Sequence, residues 1–180
     1  MQASIKKQNG MTLTESLLVL AVGALIAVLA YGAYRMATSD VKVQSQVQGI
    51  TQLVGKIKQV FGTGATYGTA DMVKSIVDAK IVPADIKIGG TAAAPTLSNA
   101  WGGGVTIVGA GAAFTITIVG VPSEGCIQFL SGISSAANSM TMGGTSVKAT
   151  GANFDPAAAA TQCAASTGSG ATSTAVLTAQ

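Results

Sequence analysis

The apolar and polar positions first separate a long helical segment from the rest of the chain. Residues 16–34 form an apolar run without a charge or a proline. A helix of this length spans about 29 Å, close to the hydrocarbon thickness of a bilayer. The run therefore predicts a membrane-length helix.

Residues 35–61 keep a helical pattern but become amphipathic. Apolar residues recur at alternating steps of four and three residues, namely Val43, Val47, Ile50, Val54, Ile57 and Phe61. The polar residues, Gln46 among them, fall mostly elsewhere around the helix. Gly62-Thr-Gly64 predicts the helix end, since glycine adopts the left-handed cap conformation. One helix over Thr12–Phe61, about 75 Å long, is expected, with its first half protruding and its second half packed on a domain.

Residues 62–180 contain shorter elements separated by turn residues. Asp71–Lys80 predicts a short helix, and Gly89–Gly104 a turn-rich connection in which Trp101 is a core anchor. Val105–Val108 and Phe114–Val121 predict a hairpin with a longer loop, because apolar and polar residues alternate along the second strand.

The last third predicts one more helix and the remaining strands. We expect a helix over Ile127–Asn138, a strand over Met140–Val147 and a loop over Gly151–Thr161. Ser173–Ala179 predicts a last strand, although its Ser, Thr and Ala content also fits a disordered tail. The fold class is therefore α+β, a long N-terminal helix against an antiparallel sheet.

Composition and charge exclude several functions. The chain has no histidine, which removes the commonest general base and metal ligand at neutral pH. No glycine-rich stretch has the strand and helix context of a dinucleotide site. The net charge of +3 includes Lys6 and Lys7, and residues 11–180 alone carry +1. We predict no enzyme activity, no metal, no cofactor and no nucleic-acid partner.

The two cysteines lie far beyond the apolar run. Cys163 follows Cys126 by 37 residues, and an even pair in an exported domain predicts a disulfide. Closing that loop would stabilise the fold by roughly 4 kcal/mol in the chain-entropy model. The alternative is a pair of free buried thiols.

A carboxylate at the start of the apolar run is the most informative feature. Gly10-Met-Thr-Leu-Thr-Glu15 immediately precedes the run. A charge in hydrocarbon costs at least roughly 2–3 kcal/mol, so Glu15 indicates function, although the helix dipole also favours an acidic residue there. A cleaved secretory signal normally has a shorter apolar region that ends at the cut. We therefore expect the run to be retained.

This junction resembles the class III signal of type IV pilins. The resemblance rests on the basic residues Lys6 and Lys7, the glycine at position 10, and Glu15 five residues beyond it. It implies that prepilin peptidase cuts after Gly10 and that Met11 becomes the N-methylated N-terminus. It also implies that Glu15 pairs with the N-terminal amine of a neighbouring subunit.

Other features resemble type IVb pilins, above all the major pilins of enteric and conjugative thin pili. They are Met11 in place of phenylalanine, the widely spaced cysteines, Asn99-Ala-Trp-Gly-Gly103, and Val121-Pro122 before Cys126. The ten-residue leader is short for that group. The resemblance implies a leader at 1–10, a transmembrane and assembly half-helix at 11–34, an amphipathic half-helix at 35–61, and a head at 62–180 with a disulfide-closed region at 126–163.

The implied function is that of a major pilin in a filament for adhesion, aggregation or conjugative contact. The expected partners are further copies of the chain, prepilin peptidase, an inner-membrane assembly platform with its ATPase motor, and a host or recipient cell surface. The precursor would lie in the bacterial inner membrane and the filament outside the cell. The alternatives are a minor pilin, a type II secretion pseudopilin, or a membrane-anchored extracytoplasmic binding protein.

Two glycines interrupt the apolar helix. Gly23 and Gly32 each weaken a helix by about 1 kcal/mol relative to alanine. They would let the segment stretch when it leaves the bilayer, or they would permit close helix packing, for which glycine is common in membrane helices.

Overall fold

The computed structural model of the chain describes residues 13–62, 66–165 and 172–180. It forms two units, residues 1–38 and 39–180. Helix α1, Leu13–Phe61, confirms the long helix expected from the sequence. Among the described residues, α1 is the one helix that is long and apolar enough to cross a membrane.

The second unit contains ten further elements in an α+β arrangement. They are α2 (Val73–Asp78), β1 (Lys87–Gly90), β2 (Pro95–Ser98), β3 (Gly104–Ala110), β4 (Ala113–Pro122), α3 (Cys126–Ile133), β5 (Ser139–Met142), β6 (Thr145–Lys148), α4 (Pro156–Ala165) and β7 (Thr172–Ala179). A 3₁₀ turn, Ser134–Ala136, follows α3. The strands form a seven-stranded sheet in the order β1-β2-β3-β4-β7-β5-β6, in which all neighbours are antiparallel.

Alternation along the strands produces one continuous core. In β4, Phe114, Ile116 and Ile118 are fully buried, as the period of two requires for a sheet with one covered face. The buried residues of the amphipathic part of α1 belong to the same cluster, namely Val43, Ile50, Leu53, Val54 and Ile57. Each fully buried large aliphatic side chain contributes roughly 1.5–3 kcal/mol.

The C-terminal strand lies in the middle of the sheet. β7 pairs with β4 through Ile116 and Leu177 and with β5 through Met140 and Leu177. The prediction of a last strand over Ser173–Ala179 is confirmed, and the disordered tail is excluded for 172–180. This strand therefore joins the two halves of the sheet.

Two strand predictions were wrong because tight glycine turns were missed. Met140–Val147 is not one strand but the hairpin β5–β6, since Gly143 and Gly144 both have positive φ and make its turn. The loop between β3 and β4 is also shorter than expected, because pairing continues to Ala110 and Ala113 and Gly111 has a φ of 69°.

The connection predicted over Gly89–Gly104 is largely β-structure. It contains most of the β1–β2 hairpin, in which Ile88 pairs with Leu97. Only Leu97 is buried, and all of β1 is exposed. A peripheral strand of this kind has too little apolar alternation to be recognised from sequence.

The helix boundaries differ most at α4, which was predicted as a loop. Asp155 Oδ1 accepts hydrogen bonds from the backbone N–H groups of Ala157 and Ala158, at 2.9 and 3.0 Å. This is an N-terminal cap, and Pro156 suits the first helical position. The Asp-Pro pair was therefore a readable helix signal. α2 and α3 are shorter than predicted, since α3 becomes a 3₁₀ turn after Ile133.

A disulfide joins α3 to α4, as predicted. Cys126 is bonded to Cys163, with their Cα atoms 5.8 Å apart, and both residues are buried. The alternative of two free thiols is excluded. The bond holds the short, alanine-rich α4 against α3.

Replacing both cysteines, as Cys126→Ala/Cys163→Ala, should lower the free energy of unfolding by roughly 4 kcal/mol, because the unfolded chain regains the loop entropy. Guanidinium unfolding of the detergent-solubilised chain measures this loss. Reductant should destabilise the wild type but leave the double variant unchanged. Equal stability of the two oxidised proteins would contradict the prediction.

Candidate assembly segment

The apolar part of α1 in the first unit is uncovered. Its ten large aliphatic side chains are between 48% and 77% exposed, namely Leu13, Leu17, Leu18, Val19, Leu20, Val22, Leu25, Ile26, Val28 and Leu29. Burying each of these side chains would be worth roughly 1.5–3 kcal/mol. Leaving all ten in water therefore forgoes more free energy than the 5–15 kcal/mol that stabilises a typical domain. The segment therefore requires a lipid or protein environment.

Glu15 lies in the first turn of this segment. Its side chain is exposed among leucines such as Leu17 and Leu18. Within residues 13–62, 66–165 and 172–180, no salt bridge involves it. The helix N-terminus favours the negative charge. In an apolar environment, however, this carboxylate would still need a cationic partner.

The rest of the predicted junction lies outside the described residues. Gly10 and Met11 at the expected cut, and Lys6 and Lys7 in the leader, belong to residues 1–12. Their roles stay predictions.

Gly23 and Gly32 have no packing role among the residues that the structure describes. A Cβ atom built at either position meets no atom within 4 Å. Helix stretching and close contact with another molecule therefore both stay open as interpretations of these glycines.

A buried amide fixes the loop before β1 against the second half of α1. Gln46 is fully buried, and its Nε2 donates to the backbone oxygen of Asp85 at 3.0 Å. Ser45 Oγ donates to Asp85 Oδ1 at 2.6 Å. A Cβ at Gly49 would lie 3.1 Å from that of Asp85, which explains the small residue. Gln46 therefore lies on the buried face of α1 and is an exception among the polar residues predicted to fall mostly elsewhere around the helix.

A second buried amide organises the segment from Asn99 to Gly103. Asn99 is 1% exposed. Its Nδ2 donates to the Val119 oxygen at 2.7 Å, and its Oδ1 accepts from the N–H groups of Trp101 and Gly103 at 3.0 and 2.9 Å. A Cβ at Gly103 would meet backbone atoms of Val119. Only glycine therefore permits this approach to β4.

Trp101 anchors the same turn to the core. Its ring meets that of Phe129 edge to face, with centroids 5.3 Å apart. The anchor role is confirmed, with α3 as the contacted element. The contacts of Asn99 and Trp101 serve packing of this turn.

Among the described residues, no group of three or more His, Cys, Asp or Glu residues could hold a metal ion.

Two family models match the chain. The model of the prokaryotic N-terminal methylation motif matches residues 5–31, and the model described as PilS N terminal matches residues 40–180. Comparison with curated protein sequences yields no match.

Solved pilin structures share the fold. A type IVb pilin from Salmonella typhi is 23% identical, with a TM-score of 0.55 over 77% of this chain and 97% of its own. TcpA, a type IV pilin from the Vibrio cholerae El Tor biotype, is 16% identical, with a TM-score of 0.56 over 77% of this chain and 99% of its own. The TM-scores show that these pilins share the fold, and at such low identities the likeness concerns the fold alone.

Replacing the buried amide, as Asn99→Ala, should lower the free energy of unfolding by roughly 2–4 kcal/mol, because three backbone groups lose their partner. The matched control is Asn138→Ala, which removes one exposed bond to Gln180 and should cost less than about 0.5 kcal/mol. Denaturant unfolding compares the two variants. Equal losses would show that the Asn99 network does not stabilise the head.

Proposed function

The chain belongs to the PilS family of type IV pilins, and from this membership we propose that it is the major pilin of a type IVb filament. The family consists of structural subunits that self-assemble, and the methylation motif indicates processing by prepilin peptidase. The observation that carries the proposal is Glu15 at the start of an apolar helix segment whose large side chains are exposed within the described residues.

Processing prepares the N-terminus for assembly. The peptidase cuts after Gly10 and methylates Met11, while Lys6 and Lys7 keep the leader on the cytoplasmic side. Removing the leader creates an ammonium group four residues before Glu15. A subunit then carries one positive and one negative group at the end of its apolar segment.

These two groups would pair between neighbouring subunits. Removing one partner of a buried ion pair costs about 3–5 kcal/mol, because the other charge stays buried and unpaired. The ammonium of one subunit and the Glu15 carboxylate of the next satisfy each other, and this pairing sets the axial position of each added copy. A subunit in the wrong register would leave both charges unpaired.

The apolar segment exchanges one apolar environment for another. It lies in the inner membrane as a precursor, and an assembly platform with its ATPase motor transfers it into the filament, where copies cover each other. The head residues stay outside the cell. Adhesion, aggregation and conjugative contact are the roles that such a filament would serve.

The mature protein from surface fibres should begin at N-methyl-Met11. Intact-mass and peptide mass spectrometry measure this directly, and a strain lacking the peptidase should retain residues 1–10. An uncut chain in the wild type would favour a membrane-anchored binding protein. A correctly cut chain at only a few copies per fibre would favour a minor pilin.

Glu15→Ala should abolish filaments while the precursor accumulates in the membrane. The loss of about 3–5 kcal/mol per subunit corresponds to more than roughly a hundredfold in each addition step. Electron microscopy and immunoblotting of sheared fibres measure the effect. The matched control is Ser16→Ala, since Ser16 Oγ only bonds Leu13 within the helix. Normal fibres in Glu15→Ala would refute the pairing.

A further inference from the structure

One side of α1 in the second unit carries an exposed stripe of uncharged polar and small residues. We name it the amide stripe, and it consists of Gln44, Gln48, Thr51, Gly55 and Gln59. All five residues are exposed. At 100° per residue they lie within an arc of about 80°, directed away from buried Ile50 and Leu53.

The charges of α1 avoid this stripe. Lys56 and Lys58 fall outside the arc, one on each side, and the described helix has no acidic residue after Asp40. A helix face that stays in water normally carries charged residues. Between residues 44 and 59, only amides, a hydroxyl and a glycine occupy this arc, and exposed Val41 lies on it one turn earlier.

A groove lies beside the stripe, between α1 and α3. Val43 and Val47 supply its apolar wall, and Gln44, Gln48 and Gln128 supply amides, around a volume of about 240 Å³. Gly132 of α3 completes it, and a Cβ there would lie 2.8 Å from Val47. The glycine therefore permits the close approach of α3 that shapes the groove.

We propose that the amide stripe and the groove bind a second copy of this chain, with Gln48 at the contact. An amide both donates and accepts hydrogen bonds, so the stripe of one copy and the groove amides Gln44, Gln48 and Gln128 of the next satisfy each other without a complementary charge. A charged partner would bury its own charge against this surface without a counter-charge. Gly55 and Thr51 are small enough for another helix to approach.

This contact rests on the proposed function and names the surface that it uses in the head. It differs from the pairing at Glu15, because it depends on no ionised group. The stripe of one copy meets the groove of the next, so the contact is heterologous, and a heterologous contact that does not close into a ring produces a filament. The stripe would therefore select correctly aligned copies through hydrogen bonds and shape.

Introducing one charge into every copy tests the contact. Gln48→Lys and Gln48→Glu should each reduce sheared-fibre yield at least tenfold, because like charges meet at the interface. Coexpression of the two variants should restore at least half of the wild-type yield, since opposite charges then alternate. Glutamine, lysine and glutamate have similar helix propensities, so the unfolding midpoint of each variant should be unchanged.

Controls separate this contact from folding and from the proposed function. Ala164→Lys and Ala164→Glu place the same charges at an exposed position of α4 and should leave fibre yield unchanged. Thr51→Lys and Thr51→Glu repeat the test if a Gln48 variant fails to fold. Wild-type yield in both single variants, or a loss that coexpression does not restore, would overturn the contact. Absence of fibres from the wild type would instead refute the major-pilin function.

Discussion

The apolar side chains of α1 have two different environments along its length. From Val43 to Ile57 they are buried with the sheet in one core. From Leu13 to Leu29 the large ones are exposed in the part of the chain that the structure describes. Because exposing that many aliphatic groups to water outweighs the stability of an ordinary domain, this part of the helix requires lipid or other protein around it. In the proposed function these are the membrane before assembly and neighbouring copies afterwards. The proposed order of events, membrane insertion followed by filament assembly, follows from this constraint.

In the proposed function, the head must keep its own structure while the apolar segment moves from the membrane into the filament. Its sheet depends on β7, which arrives last in the chain and pairs with both β4 and β5. The disulfide fixes α4, whose alanine-rich sequence buries little apolar surface beyond Ala159. Lys148 adds a further tie, since its Nζ donates to the Ser134 and Ala137 oxygens at 2.6 and 2.7 Å. These connections compensate for short elements that would be marginal alone.

Buried amides specify which loops meet which elements. Gln46 and Asn99 each bind backbone groups distant in sequence, at Asp85 and Val119. An apolar residue at either site would leave buried backbone groups without partners, which costs more than the net gain of an ordinary hydrogen bond. The exposed glutamines of α1 are proposed to apply the same chemistry between copies. Amides would thus provide alignment inside the subunit and between subunits.

Periodicity and composition alone determined much of this protein. The length of α1, the apolar run, the isolated Glu15, the β3–β4 hairpin, the cysteine pair and the α+β class were all predictable, because each depends on local spacing or on a long, strong pattern. The two-residue turns at Gly111 and Gly143-Gly144 and the capped start of α4 had local signals that were missed. The spacing of three residues from Val43 and four from Ile50 also places Gln46 on the buried face of α1, and it places Gln48 on the opposite face. Tertiary structure alone decided that β7 is central and that Asn99 holds β4. Those outcomes depend on which distant backbone groups need partners, and the spacing of residues along the chain does not encode that information.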